Sequence, residues 1–171
     1  MDKNFLEKEY IRIHRDHPVM WGSSTVKQKD NIKKYINEIG AVTILDYGCG
    51  KGLQYEEPYK LQDYWGVSTP YLYDPYVAGL EEKPDVWNQY FDLVLCIDVM
   101  EHILKEDEDE VLAELFTYGK HVIFNIDINP AIKTFKDGSN LHVNLKSADE
   151  WLAKVMEHAG SKNRFELLIT E

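Results

Sequence analysis

The stretch Thr43-Ile44-Leu45-Asp46-Tyr47-Gly48-Cys49-Gly50-Lys51-Gly52 decides how the chain is read. A short aliphatic run ends in an acid, and three glycines follow at alternate positions. The run reads as a buried strand, because apolar runs bounded by turn residues fit a parallel-sheet core. The glycines read as a turn whose backbone approaches a ligand closely and takes φ values that side chains forbid. Two other glycine-rich loops fail on detail. A phosphate loop needs Gly-Lys-Ser/Thr, whereas Gly50-Lys51 is followed by Gly52-Leu53. A dinucleotide loop sets its third glycine three positions after the second, and here that position is Leu53.

What remains, acid-x-Gly-x-Gly-x-Gly, resembles the first motif of class I methyltransferases that use S-adenosylmethionine (SAM). The resemblance implies an α/β fold: a three-layer Rossmann-like sandwich around a central, mostly parallel sheet. It implies SAM as cofactor, with Asp46 helping to hold the methionine end and Tyr47, Gly48, Cys49, Gly50 and Gly52 passing beneath the ligand. SAM has no pyrophosphate, so its loop need not aim a helix N-terminus at one. The second strand is Tyr71-Leu72-Tyr73, ending at Asp74-Pro75. An acid at that strand end is where a nucleoside-binding α/β fold holds a ribose, because its two oxygens accept from both hydroxyls. Asp74 and Pro75 are therefore expected at the cofactor.

Further along, Phe91-Asp92-Leu93-Val94-Leu95-Cys96-Ile97-Asp98 is a clear strand. It resembles the family's fourth strand, and Asp98 and Val99 are expected beside SAM. The segment after it, Val99-Met100-Glu101-His102-Ile103, resembles the Leu-Glu-His segment of many small-molecule and RNA O-methyltransferases. DNA amino-methylating and cytosine-C5 enzymes need other residues here, Asn/Asp/Ser-Pro-Pro-aromatic and Pro-Cys, and neither is present. Compact methyltransferases with segments like Asp74-Pro75-Tyr76 and Gly138-Ser139-Asn140-Leu141-His142 occur among bacteriophage proteins.

At 171 residues the chain is expected to form one domain, with residues 1–40 as a helical cap and 41–171 as the core. Residues 3–17 have helical spacing and stop before Pro18, with His14 and His17 just ahead of it. Ser23-Ser24 supplies a cap for a helix whose face is Ile32, Tyr35, Ile36 and Ile39, ended by Gly40. Trp21 and the two serines lie where such a segment folds over a SAM pocket. Pro58 breaks the helix expected over 53–63. Around Pro84-Asp85-Val86-Trp87 the family's third strand is stunted or missing. Glu106–Glu110 open a helix, where acids suit the dipole, and Val111, Leu112, Leu115 and Phe116 form its buried face. The fifth strand spans 121–126 and an insertion covers 127–146. Ser147 caps a helix whose apolar face is Trp151, Leu152, Val155 and Met156. The last strand covers 165–169, and no residues follow for the family's antiparallel seventh strand. The sheet is then either minimal, or its final strand has an unusual place.

Formal charge is −11, from 30 acids against 19 bases. Polyanion binders carry a basic face, so long nucleic acid is disfavoured as a partner and a small-molecule acceptor is expected. No apolar run reaches the length of a membrane span, and the charged N-terminus does not read as a secretory leader. Cys49 and Cys96 read as small buried residues of a reducing cytoplasm. Oligomeric state is not legible.

If SAM binds, the reaction is an in-line displacement at its methyl carbon, to which the protein contributes alignment and exclusion of water. A hydroxyl or ammonium acceptor must also lose a proton, and His102 and His142 are the candidate bases. No metal is assigned. The alternative is a divalent ion on Asp98, Glu101, His102 and His142, a pattern similar to the metal site of small-RNA 3′-terminal 2′-O-methyltransferases and of some quinone-ring O-methyltransferases. Two rivals stand beside an enzyme of this family. One is a SAM- or nucleoside-binding module without transfer activity, the other a nucleotide-sugar or dinucleotide enzyme.

Overall fold

Five short apolar runs lie side by side as one sheet in the computed structural model, which describes residues 2–17, 24–161 and 163–170. They are β1 (Ile44–Tyr47), β2 (Tyr71–Tyr73), β3 (Leu93–Ile97), β4 (His121–Asp127) and β5 (Arg164–Thr170). Their order is β2-β1-β3-β4-β5, and every neighbouring pair is parallel. The expected mostly parallel sheet is thus wholly parallel. No strand forms between Asp74 and Phe91 among the described residues, as expected for that edge. The last strand takes the opposite edge. β5 runs parallel to β4 from Arg164 opposite His121 to Thr170 opposite Asp127.

Parallel strands are covered on both faces, which is why β1 and β3 are buried at every residue. Alternate side chains go to opposite layers. Leu45, Val94, Cys96 and Phe124 pack against α4 (Glu108–Tyr118) and α5 (Ala148–Ala159). Ile44, Leu93, Leu95 and Ile97 pack against α2 (Lys29–Ile39) and α3 (Leu61–Trp65). The N-terminal α1 (Lys3–Asp16) joins neither layer. Its Leu6, Tyr10 and Ile13 form a third cluster with Leu104, Phe135 and Leu141, on the loops that follow β3 and β4. Residues 1–40, read as one cap, therefore do two things: α2 covers the sheet and α1 roofs its loops.

Several local expectations hold. α2 stops at Gly40, which adopts the left-handed conformation (φ 67°). Ser147 and Glu150 form a reciprocal capping box at α5. The segment after the glycine turn is broken into a 3-10 turn, Leu53–Tyr55, and the short α3. No described helix is long and apolar enough to cross a membrane. Two expectations need correction. α2 is preceded by a 3-10 turn, Ser24–Gln28, and its N-cap is Gln28 without a side-chain cap bond; Trp21 and Ser23 lie outside the described residues. On α5 the stripe facing the sheet is Trp151, Val155 and Ala159, spaced one helical turn apart. Leu152 and Met156 sit one residue further round and are 41% and 60% exposed.

The chain leaves β1 toward β2 on one side, and the remaining strands lie on the other. This reversal puts a topological switch point at the carboxyl ends of β1 and β3, where open α/β sheets place their ligand crevice.

Candidate functional site

A cleft of about 630 Å³ opens at that switch point, within the range of small-molecule sites. Its floor is the glycine turn and the strand ends, and its roof is α1 with the loop after β4. The turn is hinged on β2: the amides of Gly48 and Cys49 donate to the Tyr73 carbonyl at 2.8 and 3.1 Å. Gly48 has φ 76°, and a Cβ there would meet Val99 Cγ2 at 2.4 Å. Only glycine allows the turn to lie so close to the chain leaving β3.

Asp74 is the acid that this turn presents. It is 6% exposed and lines the cleft. Its Oδ2 accepts from the Gly50 amide and its Oδ1 from the Tyr76 amide, both at 2.9 Å. Each oxygen keeps a lone pair for a ligand. Burial raises its pKa, opposed by those two amides and by nearby His14. Tyr47, Gly48, Gly50, Pro75, Asp98 and Val99 share the cleft with it. Asp46, Cys49 and Gly52 do not line it. Asp46 is 1% exposed behind the turn, where its Oδ2 accepts from Gln54 Nε2 and Tyr55 Oη, both at 2.8 Å. Gln54 also donates to the Cys49 carbonyl, so this acid braces the turn from behind. Burial pushes its pKa up to about 6.

Asp98 is one of two described non-glycine residues with positive φ (53°). Such strain persists only where the surroundings enforce it. Asn125 of β4 does so: its Nδ2 donates to Asp98 Oδ1, and its carbonyl accepts from the Asp98 amide at 2.8 Å. Gln28 Nε2 in turn donates to Asn125 Oδ1 at 3.0 Å.

Beyond Asp98 the chain makes a 3-10 turn, Met100–His102. Here Glu101, His102 and His142 each bring one ligand atom so that all lie within 4.8 Å of one another. Asp98, the fourth residue of the alternative metal set, is outside this group. Glu101 is completely buried; Oε1 accepts from the Asp127 amide at 3.0 Å, and Oε2 has no partner. Burial, then the charge of Asp98, raises its pKa to about 8. His102 Nδ1 lies 2.8 Å from Tyr10 Oη and 3.1 Å from the Leu141 carbonyl. Tyr10 Oη donates to that same carbonyl, so Nδ1 carries the proton and Nε2 offers its lone pair. Burial, then His142, lowers the His102 pKa to about 4. His142 Nδ1 likewise meets the Asn129 carbonyl, leaving its Nε2 available. A second carboxylate–histidine group, Asp109, Glu157 and His158, already holds the Lys154 ammonium, 2.5 Å from Asp109.

Sequence reading missed Tyr10, Gln54, Tyr55, Asn125 and Asp127. The one local signal was Asn125, a polar residue inside an otherwise apolar strand. The fold is that of an α/β protein with a cleft at its switch point. Comparison with family models, with curated proteins and with solved structures returned no match.

Two outcomes follow for the floor of the cleft. Gly48→Ala is expected to lose roughly 1–3 kcal/mol of stability in urea unfolding. Because the new Cβ meets Val99, the double variant Gly48→Ala/Val99→Ala should lose less than the sum of the single variants, by about 0.5 kcal/mol or more. Strict additivity would mean that the two residues do not press on each other. Asp46 governs a pH effect. Its folded pKa of about 6 exceeds the value near 3.9 expected in the unfolded chain. Its stabilising contribution is therefore complete below the lower value and lost as pH rises through the upper one, by about 3 kcal/mol. Asp46→Asn lacks that fall. Between roughly pH 4 and 7 the variant should gain on the wild type by about that amount, and parallel stability curves would refute it.

Proposed function

We propose that this protein is a SAM-dependent methyltransferase of class I, acting on an oxygen or nitrogen of a small molecule. The observation that carries the reading is Asp74, a buried carboxylate at the end of β2, anchored by Gly50 and facing the cleft beside a side-chain-free turn. A parallel sheet with a crevice at its switch point is the setting a nucleoside needs. The fold departs from the family in lacking a third strand and an antiparallel partner beside β4 among the described residues.

The residues present fit the group. Asp74 would accept from the ribose hydroxyls, and Gly48 and Gly50 would let backbone lie against the ligand. Asp98 and Val99 would border it from β3, while Asp46 acts through the turn it braces. When bound, SAM would supply the methyl group, its sulfonium becoming a thioether that keeps the carbon–sulfur electron pair. The acceptor's proton must then leave. Nε2 of His102 and of His142 both have free lone pairs, held in that tautomer by backbone carbonyls. His142, on the loop after β4, is the more exposed to an acceptor. The roof of α1 keeps water out while the heteroatom is aligned.

A metal-assisted version has its own support. Buried polar atoms are normally partnered, and Glu101 Oε2 is not. Histidines that bind metals donate their other ring N–H to a carbonyl or carboxylate, as His102 and His142 do. Glu101, His102 and His142 would hold a divalent ion, which would acidify an acceptor hydroxyl.

In thermal-shift and calorimetric assays SAM and its demethylated product should both stabilise the protein, and NAD should not. Asp74→Ala should weaken SAM by about 1–3 kcal/mol, since the sugar loses its acceptor. A folded protein that ignores both compounds would end this reading. Titration with Mg²⁺, Mn²⁺ or Zn²⁺ should give binding that Glu101→Gln removes. No heat with any of the three, with or without SAM, would discard the metal.

A further inference from the structure

Charge is unevenly distributed around the cleft. Eight carboxyl groups line it against three lysines. Lys3 lies 3.0 Å from Asp107, and Lys83 lies 2.6 Å from Glu114. No arginine is among the described lining residues. Arg12 and Arg15 are tied to Glu9 and Asp16 on α1, and Arg164 begins β5 at the far end of the sheet from the cleft. Carboxylate and phosphate ligands are ordinarily gripped by such guanidinium forks or by unengaged lysines. A concave site lined by one sign of charge focuses the opposite sign, and this one is negative.

A second observation points to a ligand in this cleft. Glu101 is completely buried, lines the cleft, and has an unpartnered Oε2. Apolar side chains line the cleft as well: Leu6 and Leu104 from the buried cluster under α1, with Ile103, Ala131 and the fully exposed Ile132.

We infer that the acceptor is an amine on an apolar carbon skeleton, drawn in as its ammonium and giving one proton to His142 Nε2 before its freed lone pair attacks the methyl carbon. The inference rests on reading the cleft as a methyl-transfer site, and concerns the charge class of the second substrate. The carboxylates of Asp127, Glu110 and Glu7 draw the ammonium, the nearby Lys3 offsetting part of the charge of the last two, and the apolar side chains take the skeleton. Acceptors bearing phosphate or carboxylate are rejected, because each would enter an anionic site without an arginine to meet it.

Three probes of matched shape test this by calorimetry on the full chain, with and without the demethylated product of SAM: phenethylamine, 2-phenylethanol and 3-phenylpropionate. The amine should bind about tenfold tighter than the alcohol, and the acid more weakly than either. Raising salt should weaken the amine and spare the alcohol. The variant Glu110→Gln/Asp127→Asn should weaken the amine roughly fivefold and leave the alcohol unchanged. Alcohol or acid binding as tightly as the amine would overturn the inference. So would an amine affinity that the variant does not alter, or no amine binding at roughly 10 mM. If the amine binds but SAM and its product do not, the methyl-transfer reading falls and the cationic preference stands. If they bind and the amine does not, only the cationic preference falls.

Discussion

The space of one methyl group governs this molecule. The turn after β1 rests against Val99 so closely that a Cβ at position 48 would lie 2.4 Å from it. Only from there can the Gly48 and Cys49 amides reach the end of β2 and the Gly50 amide reach Asp74. That single approach ties together the carboxyl ends of β1, β2 and β3. The cleft is the concavity left between them. Asp46, Gln54 and Tyr55 support the arrangement from behind, at the cost of a carboxyl group kept from water.

A similar economy of polar groups shapes the roof. α1 contributes little to the sheet's two layers, yet it is bonded to the loop after β4 at several points. Glu9 accepts from the Lys136 amide at 3.0 Å while also holding Arg12, and Tyr10 bridges Leu141 and His102. These contacts orient the imidazole as well as close the pocket. Against that background the lone Oε2 of Glu101 stands out. Buried polar atoms are normally partnered, and among the described residues this oxygen is one of the few that is not. A metal ion is one such partner, and the surrounding negative charge makes a cation the natural occupant in either case.

The unusual edges of the sheet bear on the proposed activity without deciding it. β5 lies directly beside β4, and residues 74–91 form turns where a further strand was in question. Neither departure touches the switch point. A ligand crevice depends on the central strands and their loops, and those are complete.

How much of this was legible follows from the range of the forces involved. Apolar runs, the break at Pro58, the stop at Gly40 and the capping box at Ser147 depend on neighbours a few residues apart. They could be read from the chain directly, as could the choice of Asp74 as the acid at a strand end. The errors were local as well: on α5 the apolar face was read one residue too wide, taking in Leu152 and Met156, because composition does not say how broad a stripe the sheet will cover. The cluster at the cleft was legible only in part. Glu101 and His102 are adjacent in sequence, but His142 reaches them because α1 and the insertion pack together. No pattern announces Tyr10 as the group that fixes His102, since the two are 92 residues apart. The withdrawal of Asp46 from the cleft has the same origin. Residue order alone determined the strands, the turn and the list of acids and imidazoles available for chemistry. Which of them face a ligand and which face each other was decided by the tertiary structure, because burial and long-range hydrogen bonds exist only once the layers have closed.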